Sequence, residues 1–164
     1  MRLHSNLGSC RLLGVLAIGL LCASGCSRYA APTLSVAQTR VSETTEAGLV
    51  VNFDIDAQNS NEVELPLREI RYSLMLDGRA VFSGVRSPEA TLRRLGTQRF
   101  TIPASVALGA GRPHPTGTVP YVLEGQLSYT APGQIAQVLF DTNIRRPPVS
   151  LREAGNLDLG KGFL

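Results

Sequence analysis

Along residues 48–57, Leu49, Val51, Phe53 and Ile55 alternate with Val50, Asn52, Asp54 and Asp56. An extended chain with that spacing has one apolar and one mostly polar face, the mark of a half-buried strand. The same alternation sets Ile70, Tyr72, Leu74 and Leu76 against Arg71, Ser73, Met75 and Asp77. Asp77-Gly78 separates that run from a second one, R-A-V-F-S. An Asp-Gly pair between two such runs predicts a tight hairpin, because its turn needs positive φ at both central residues. Residues 98–106 read as a further strand with Phe100 and Ile102 on one side, and Pro103 places it at an edge or an end. In 119–130, Tyr121, Leu123, Leu127 and Tyr129 oppose Glu124, Gln126 and Ser128, with Gly125 on the apolar face. A glycine there predicts a bulge or a close backbone approach.

The intervening segments carry turn signals. Residues 58–62 (Q-N-S-N-E) form a polar turn, and 107–118 form a loop rich in Gly and Pro. Residues 90–97, with Leu92, Arg93, Arg94 and Leu95, are too few to separate a helical turn from irregular chain. Ala131-Pro132-Gly133 turns the chain into 135–144, read as a partner strand that Pro147-Pro148 ends. Period two begins at Ser35, and no long stretch repeats every 3.6 residues. About seven strands of this kind predict an all-β domain, an antiparallel β-sandwich.

The first 26 residues have a different character. Arg2, His4 and Arg11 precede an uncharged, mostly aliphatic stretch at 12–21, and Ala23-Ser24-Gly25 stands directly before Cys26. The apolar run is shorter than the roughly 20 residues a permanent span needs, and its flanks are those of an exported, processed signal. Small residues before a cysteine resemble the bacterial lipobox. That resemblance implies cleavage between Gly25 and Cys26 and acylation of Cys26, with ordinary signal cleavage after Gly25 as the alternative. Ser27 at the second mature position implies sorting onward to the outer membrane of a Gram-negative cell, facing the periplasm. The expected organisation is a lipoprotein signal peptide at 1–25, an acylated N-terminus and tether at 26–34, the sandwich at 35–145 and a C-terminal tail at 146–164. The eight tether residues after Cys26 reach at most about 26 Å.

Charge and candidate chemistry then narrow the functional classes. The net charge of +3 falls to near neutrality once 1–25 is removed, leaving 14 basic and 13 acidic residues, so nucleic acid is not an expected partner. Cys10 and Cys22 would leave with the signal and Cys26 would be blocked, so no thiol would remain for a disulfide, a metal or a nucleophile. His114 stands alone between Pro113 and Pro115, without the companion ligands a metal site needs and without a G-x-S-x-G elbow. Asp54, Asp56, Asn59 and Asn61 faintly resemble a calcium ladder. Asn59 stands where an EF-hand has Gly, however, and Leu65 stands where it has Glu. A solvated strand face accounts for them, so neither metal nor cofactor is expected. Gly109, Gly111 and Gly117 form no phosphate loop, because no strand feeds them and no Lys-Ser/Thr follows. Arg93-Arg94 and Arg145-Arg146 read as surface charges, with an anionic lipid or polysaccharide as the alternative.

From Val51 to Gly84 the chain reads V-N-F-D-I-D-A-Q-N-S-N-E-V-E-L-P-L-R-E-I-R-Y-S-L-M-L-D-G-R-A-V-F-S-G, followed later by Y-V-L-E-G-Q-L at 121–127. This resembles the late embryogenesis abundant type 2 family, whose module is also called the water-stress/hypersensitive-response (WHy) domain. The shared elements are an alternating strand, an Asn-Pro-Asn-type turn, a strand–turn–strand and a later V-x-Y-x-φ-x-G-x-φ strand, where φ is apolar. The turn here is Asn59-Ser60-Asn61, without the central Pro. The resemblance spans about residues 35–145. It implies a fibronectin type III-like or immunoglobulin-like sandwich with no enzymatic activity and no catalytic residues, associated with desiccation and other stress tolerance. The expected role is a membrane-anchored envelope module that protects protein clients or membrane surfaces. The alternative is an envelope interaction or assembly lipoprotein that binds a partner protein, a cell-wall polymer or an apolar ligand.

Overall fold

Alternation becomes packing in β2 (Gly48–Gln58), where Leu49, Val51, Phe53, Ile55 and Ala57 are all buried. The computed structural model describes residues 29–107, 117–144 and 146–159. Within them β2 is the middle strand of a three-stranded antiparallel sheet, between β1 (Thr33–Thr45) and β6 (Thr97–Ala107). Pro103 does lie on an edge strand, opposite Asn52. β1 keeps its apolar face inward by two bulges, between Val36 and Gln38 and between Val41 and Glu43. Each extra residue resets the phase. Leu34, Val36, Thr39, Val41 and Thr44 are thereby the partly buried positions, while Gln38 and Arg40 point to solvent.

The second sheet is antiparallel in the order β4 (Arg79–Arg86), β3 (Leu65–Leu76), β7 (Thr118–Tyr129) and β8 (Pro148–Asp158), with the two-residue β5 (Thr91–Leu92) added beside the start of β3. The hairpin between β3 and β4 turns at Asp77 (φ 48°) and Gly78 (φ 72°), as the Asp-Gly pair predicts. The inner faces of the two sheets meet in one core around Phe53, Ile55, Ile70, Leu74, Ile102, Leu123 and Leu127. Two tyrosines tie the layers together. Tyr72 donates its hydroxyl hydrogen to the carbonyl oxygen of Pro103, and the Tyr121 hydroxyl lies 3.0 Å from Thr39 Oγ1. The Tyr121 ring lies over Gly155 of edge strand β8, where an added Cβ would meet it at 3.0 Å. That cross-strand pairing covers a glycine with an aromatic ring.

Three expectations are corrected. Residues 135–144, read as a strand, begin with α1 (Gln134–Asp141) instead. Their spacing supports a helix that buries Phe140, and Gln137 Nε2 reaches the Asp141 carboxylate one turn on at 3.0 Å. The helix stops in a Schellman arrangement. Asn143, at φ 61°, bonds back to Phe140 O at 3.0 Å and Ile144 N to Leu139 O at 2.9 Å. Residues 148–158, read as tail, are strand β8, which pairs with β7 from Ser128↔Pro148 to Thr118↔Asp158. A proline is tolerated as the first residue of a strand. Gly125 carries no bulge: β3 and β7 shift register between Leu67 and Ile70, and a Cβ at Gly125 would meet its neighbours at an ordinary 3.4 Å. Residues 90–97 resolve to β5 and a turn with Leu95 at φ 49°.

Phe53 is fully buried, with its ring centroid 5.6 Å from that of Tyr121. Phe53→Ala removes both the transfer term and the packing of a central ring, a loss of about 3–5 kcal/mol. Val85→Ala, at an exposed position, changes stability by less than about 0.5 kcal/mol. Urea unfolding of the two variants checks the contrast.

Candidate functional site

The turn Asn59-Ser60-Asn61 is where the structure gathers most of its polar chemistry. Asn59 is 1% exposed, and a buried carboxamide must find partners for both donors and its acceptor. Its Nδ2 donates to Val63 O at 2.7 Å and Arg93 O at 3.1 Å, with Leu92 O at 3.5 Å. Its Oδ1 accepts from Asn61 N at 3.0 Å and Asn61 Nδ2 at 2.8 Å. Asn59 N in turn donates to Gly96 O at 2.8 Å, and Leu95 N donates to Asn61 O at 2.9 Å. Asn61 also clasps the incoming chain: its Nδ2 donates to Ala30 O, and its Oδ1 accepts from Ala30 N, both at 2.9 Å. The Asn-Ser-Asn turn is therefore a knot among residues 30, 59–63 and 92–96. The side-chain oxygens of both asparagines are committed to amide donors.

Asp54 and Asp56 are not a bare solvated face. Asp54 is only 6% exposed; Thr101 Oγ1 donates to it at 2.6 Å, and Arg40 pairs with its other oxygen. The Thr101 hydroxyl, then the Arg40 guanidinium, hold its carboxyl below the ordinary value against the opposing effect of burial. Asp56 is gripped by Arg99 through Nε at 2.7 Å and Nη2 at 2.8 Å, and that bidentate pair lowers its carboxyl too. Arg40 comes from β1 and Arg99 from β6, the strands on either side, so sequence spacing along β2 gave no sight of them. The ladder of Asp54, Asp56, Asn59 and Asn61 is divided between two ion pairs and the amide knot. Among the described residues no cluster of three His, Cys, Asp or Glu side chains is placed to hold a metal ion.

Cys26 and Gly25 lie outside the described residues, as do His114, Gly109, Gly111 and Arg145. Gly117 is described; it turns at φ 78° and its carbonyl accepts from Leu159 N at 3.0 Å. Arg93 and Arg94 are exposed beside the knot. Arg146 stacks on the Phe140 ring at 5.0 Å, and Arg68 stacks on it at 5.4 Å.

One feature had no sequence signal. An open groove of about 620 Å³ crosses the outer face of the five-stranded sheet. Register aligns Ser83, Ser73, Glu124 and Arg152 in one row, and Val85, Arg71, Gln126 and Ser150 in the next. Both arginines have carboxylate partners: Arg71 bonds Glu69 at 2.9 Å and Arg152 bonds Glu124 at 3.2 Å. The groove is a hydrogen-bonding surface of hydroxyls, an amide and paired charges, and no imidazole stands by its serines among the described residues. Its parts are spread over four strands, which only the register brings together.

The family model for late embryogenesis abundant protein (LEA_2) matches residues 54–152. The chain belongs to this family. Among solved structures, the late embryogenesis abundant (LEA) protein At2g46140.1 is similar at 19% identity with a TM-score of 0.63, over 80% of this chain and 73% of that one. AT1g01470 from Arabidopsis thaliana is similar at 14% identity with a TM-score of 0.62, over 86% of this chain and 90% of that one. At these identities the likeness is one of fold. No curated protein matches the chain significantly.

Two predictions test the LEA turn and its strand. Asn59→Ala strands the carbonyls of Val63 and Arg93, and is expected to cost about 2–4 kcal/mol in denaturant unfolding. Asn59→Asp, which sets a carboxylate against those same carbonyls, should be no better at neutral pH. The lowered carboxyl of Asp54 contributes stability above its unfolded value of 3.8. That contribution is lost as pH falls through the lower folded value. Asp54→Asn should be less stable than the parent at neutral pH, with the gap narrowing below about pH 4. Thermal unfolding as a function of pH measures it.

Proposed function

We propose that this LEA-family chain is an exported lipoprotein, acylated at Cys26 and held on the periplasmic side of the outer membrane, that protects neighbouring proteins or membrane surfaces when water is withdrawn. It does so by contact, without catalysing a reaction. The observation that carries this reading is the family match over residues 54–152. The signal-like stretch at 12–21 and the small residues before Cys26 support export and anchoring.

A second reading is favoured by the groove on the five-stranded sheet. Its hydroxyls and paired charges suit a polar partner such as a cell-wall polymer or an extended peptide, which would make the chain an assembly lipoprotein.

Intact mass of the envelope-extracted protein is expected to show residues 1–25 gone and acyl chains added at Cys26. A retained Met1 or a bare thiol at Cys26 opposes the anchor. A strain lacking the gene should survive drying less well than its parent, with rescue by the wild-type gene and weaker rescue by Cys26→Ser. Unchanged survival after drying, osmotic shock and heating counts against the protective role. Recovery of one partner by crosslinking in the cell then favours assembly.

A further inference from the structure

Six large apolar side chains are exposed among the described residues, and their placement is uneven. Val85 lies on β4; the other five, Tyr29, Val63, Leu95, Val138 and Ile144, lie in segments at one end of the sandwich. Several bonds establish this. Ala30 is held by Asn61, and Leu95 N bonds Asn61 O. Val63 O accepts from Asn59. The passage through α1 leaves the sheet at Thr130, which bonds Pro66 O, and returns at Pro148 opposite Ser128. Scattered single apolar residues are ordinary on a protein surface; five of six at one end are not. Leu95 is 67% exposed in a left-handed conformation that bulky residues rarely adopt, and Ile144 is 73% exposed just past the Schellman stop.

The chain enters at this same end. The expected tether of eight residues is shortened because Ala30 is already bound to the knot and β1 starts at Thr33. From Cys26 to Ala30 the chain can reach at most about 14 Å. The headgroup layer on one side of a bilayer is about 5–8 Å thick. An acylated Cys26 therefore holds Ala30, where the chain joins this end, inside the headgroup layer or just beyond it. Among the described residues Arg68, Arg93, Arg94 and Arg146 lie here, opposed by Glu62, Glu64, Glu89 and Asp141. These charges balance, so the contact is argued from apolar burial, with arginine stems lying along the surface and their heads in water.

We propose that this end is a membrane-contact face, with Leu95, Val138 and Ile144 seated in the headgroup region of the bilayer that holds the anchor. It rests on the acylation of Cys26, and the test separates the two claims. Full-length Leu95→Cys, Val138→Cys and Glu46→Cys variants are extracted from the envelope, and intact mass first establishes the acyl chains. Glu46 is exposed in the turn between β1 and β2, at the opposite end. Each introduced thiol is labelled with a nitrobenzoxadiazole fluorophore and the protein placed in phosphatidylethanolamine–phosphatidylglycerol vesicles with and without a doxyl-labelled lipid. L95C and V138C are expected to lose most of their emission to the doxyl lipid, and E46C to keep its own. An acylated protein in which all three labels emit as in water overturns the contact face and leaves the anchor standing. Blue-shifted emission that the doxyl lipid does not reach indicates a protein cover and also overturns it. A product without acyl chains removes the anchor, and the contact face with it.

Discussion

Asn59 sits where three chain segments cross, and a buried amide at such a crossing must find a partner for every polar atom. It does so only if the turn after β2 and the turn before β6 both arrive in place, and Asn61, which caps its oxygen, in turn holds the incoming N-terminal segment at Ala30. The knot therefore fixes more than its own turn. It sets where β3 begins, how β5 is laid beside it and at which end the chain enters the sandwich. The central Pro of the family's turn is dispensable here because side-chain bonding, rather than a locked φ, holds Asn59-Ser60-Asn61 in shape.

Above the knot the two sheets are joined by apolar side chains and two phenolic hydroxyls. All three cysteines of the sequence lie at positions 10, 22 and 26, ahead of the described residues, so no disulfide assists the sandwich. Tyr72 and Tyr121 supply directional links in its place, each sending its hydroxyl from the five-stranded sheet to an outer strand of the other layer. Such bonds specify alignment as well as adding energy, since a slip of either sheet would leave a phenol without its partner.

What could be read in the sequence follows from physical locality. Apolar alternation in β2, in β3 from Ile70 onward and in β7, and the Asp77-Gly78 turn, are encoded by neighbours in the chain, and they stand as expected. β8 is not legible in the sequence because Glu153 and Gly155 occupy inward positions and break the apolar alternation. α1 reads as a strand in the sequence because eight residues offer barely two helical turns, and Ala-Pro-Gly ahead of them is equally good before either element. The candidate site was legible in part. Asn59 and Asn61 stand out as a motif, but their role depends on Ala30, Arg93 and Gly96, which are remote in sequence. The partners of Asp54 and Asp56 belong to neighbouring strands, and register alone reveals them.

The bond between Tyr72 and Pro103 reaches beyond alignment. An edge strand normally offers a recruit both a hydrogen to accept and an oxygen to approach. Midway along β6 the hydrogen does not exist, since proline has none, and the oxygen is already occupied by the phenol. A foreign strand creeping along that border would meet a gap in the ladder at its centre. Where copies of the chain are crowded together, this border resists the edge-to-edge pairing that joins folded sheets.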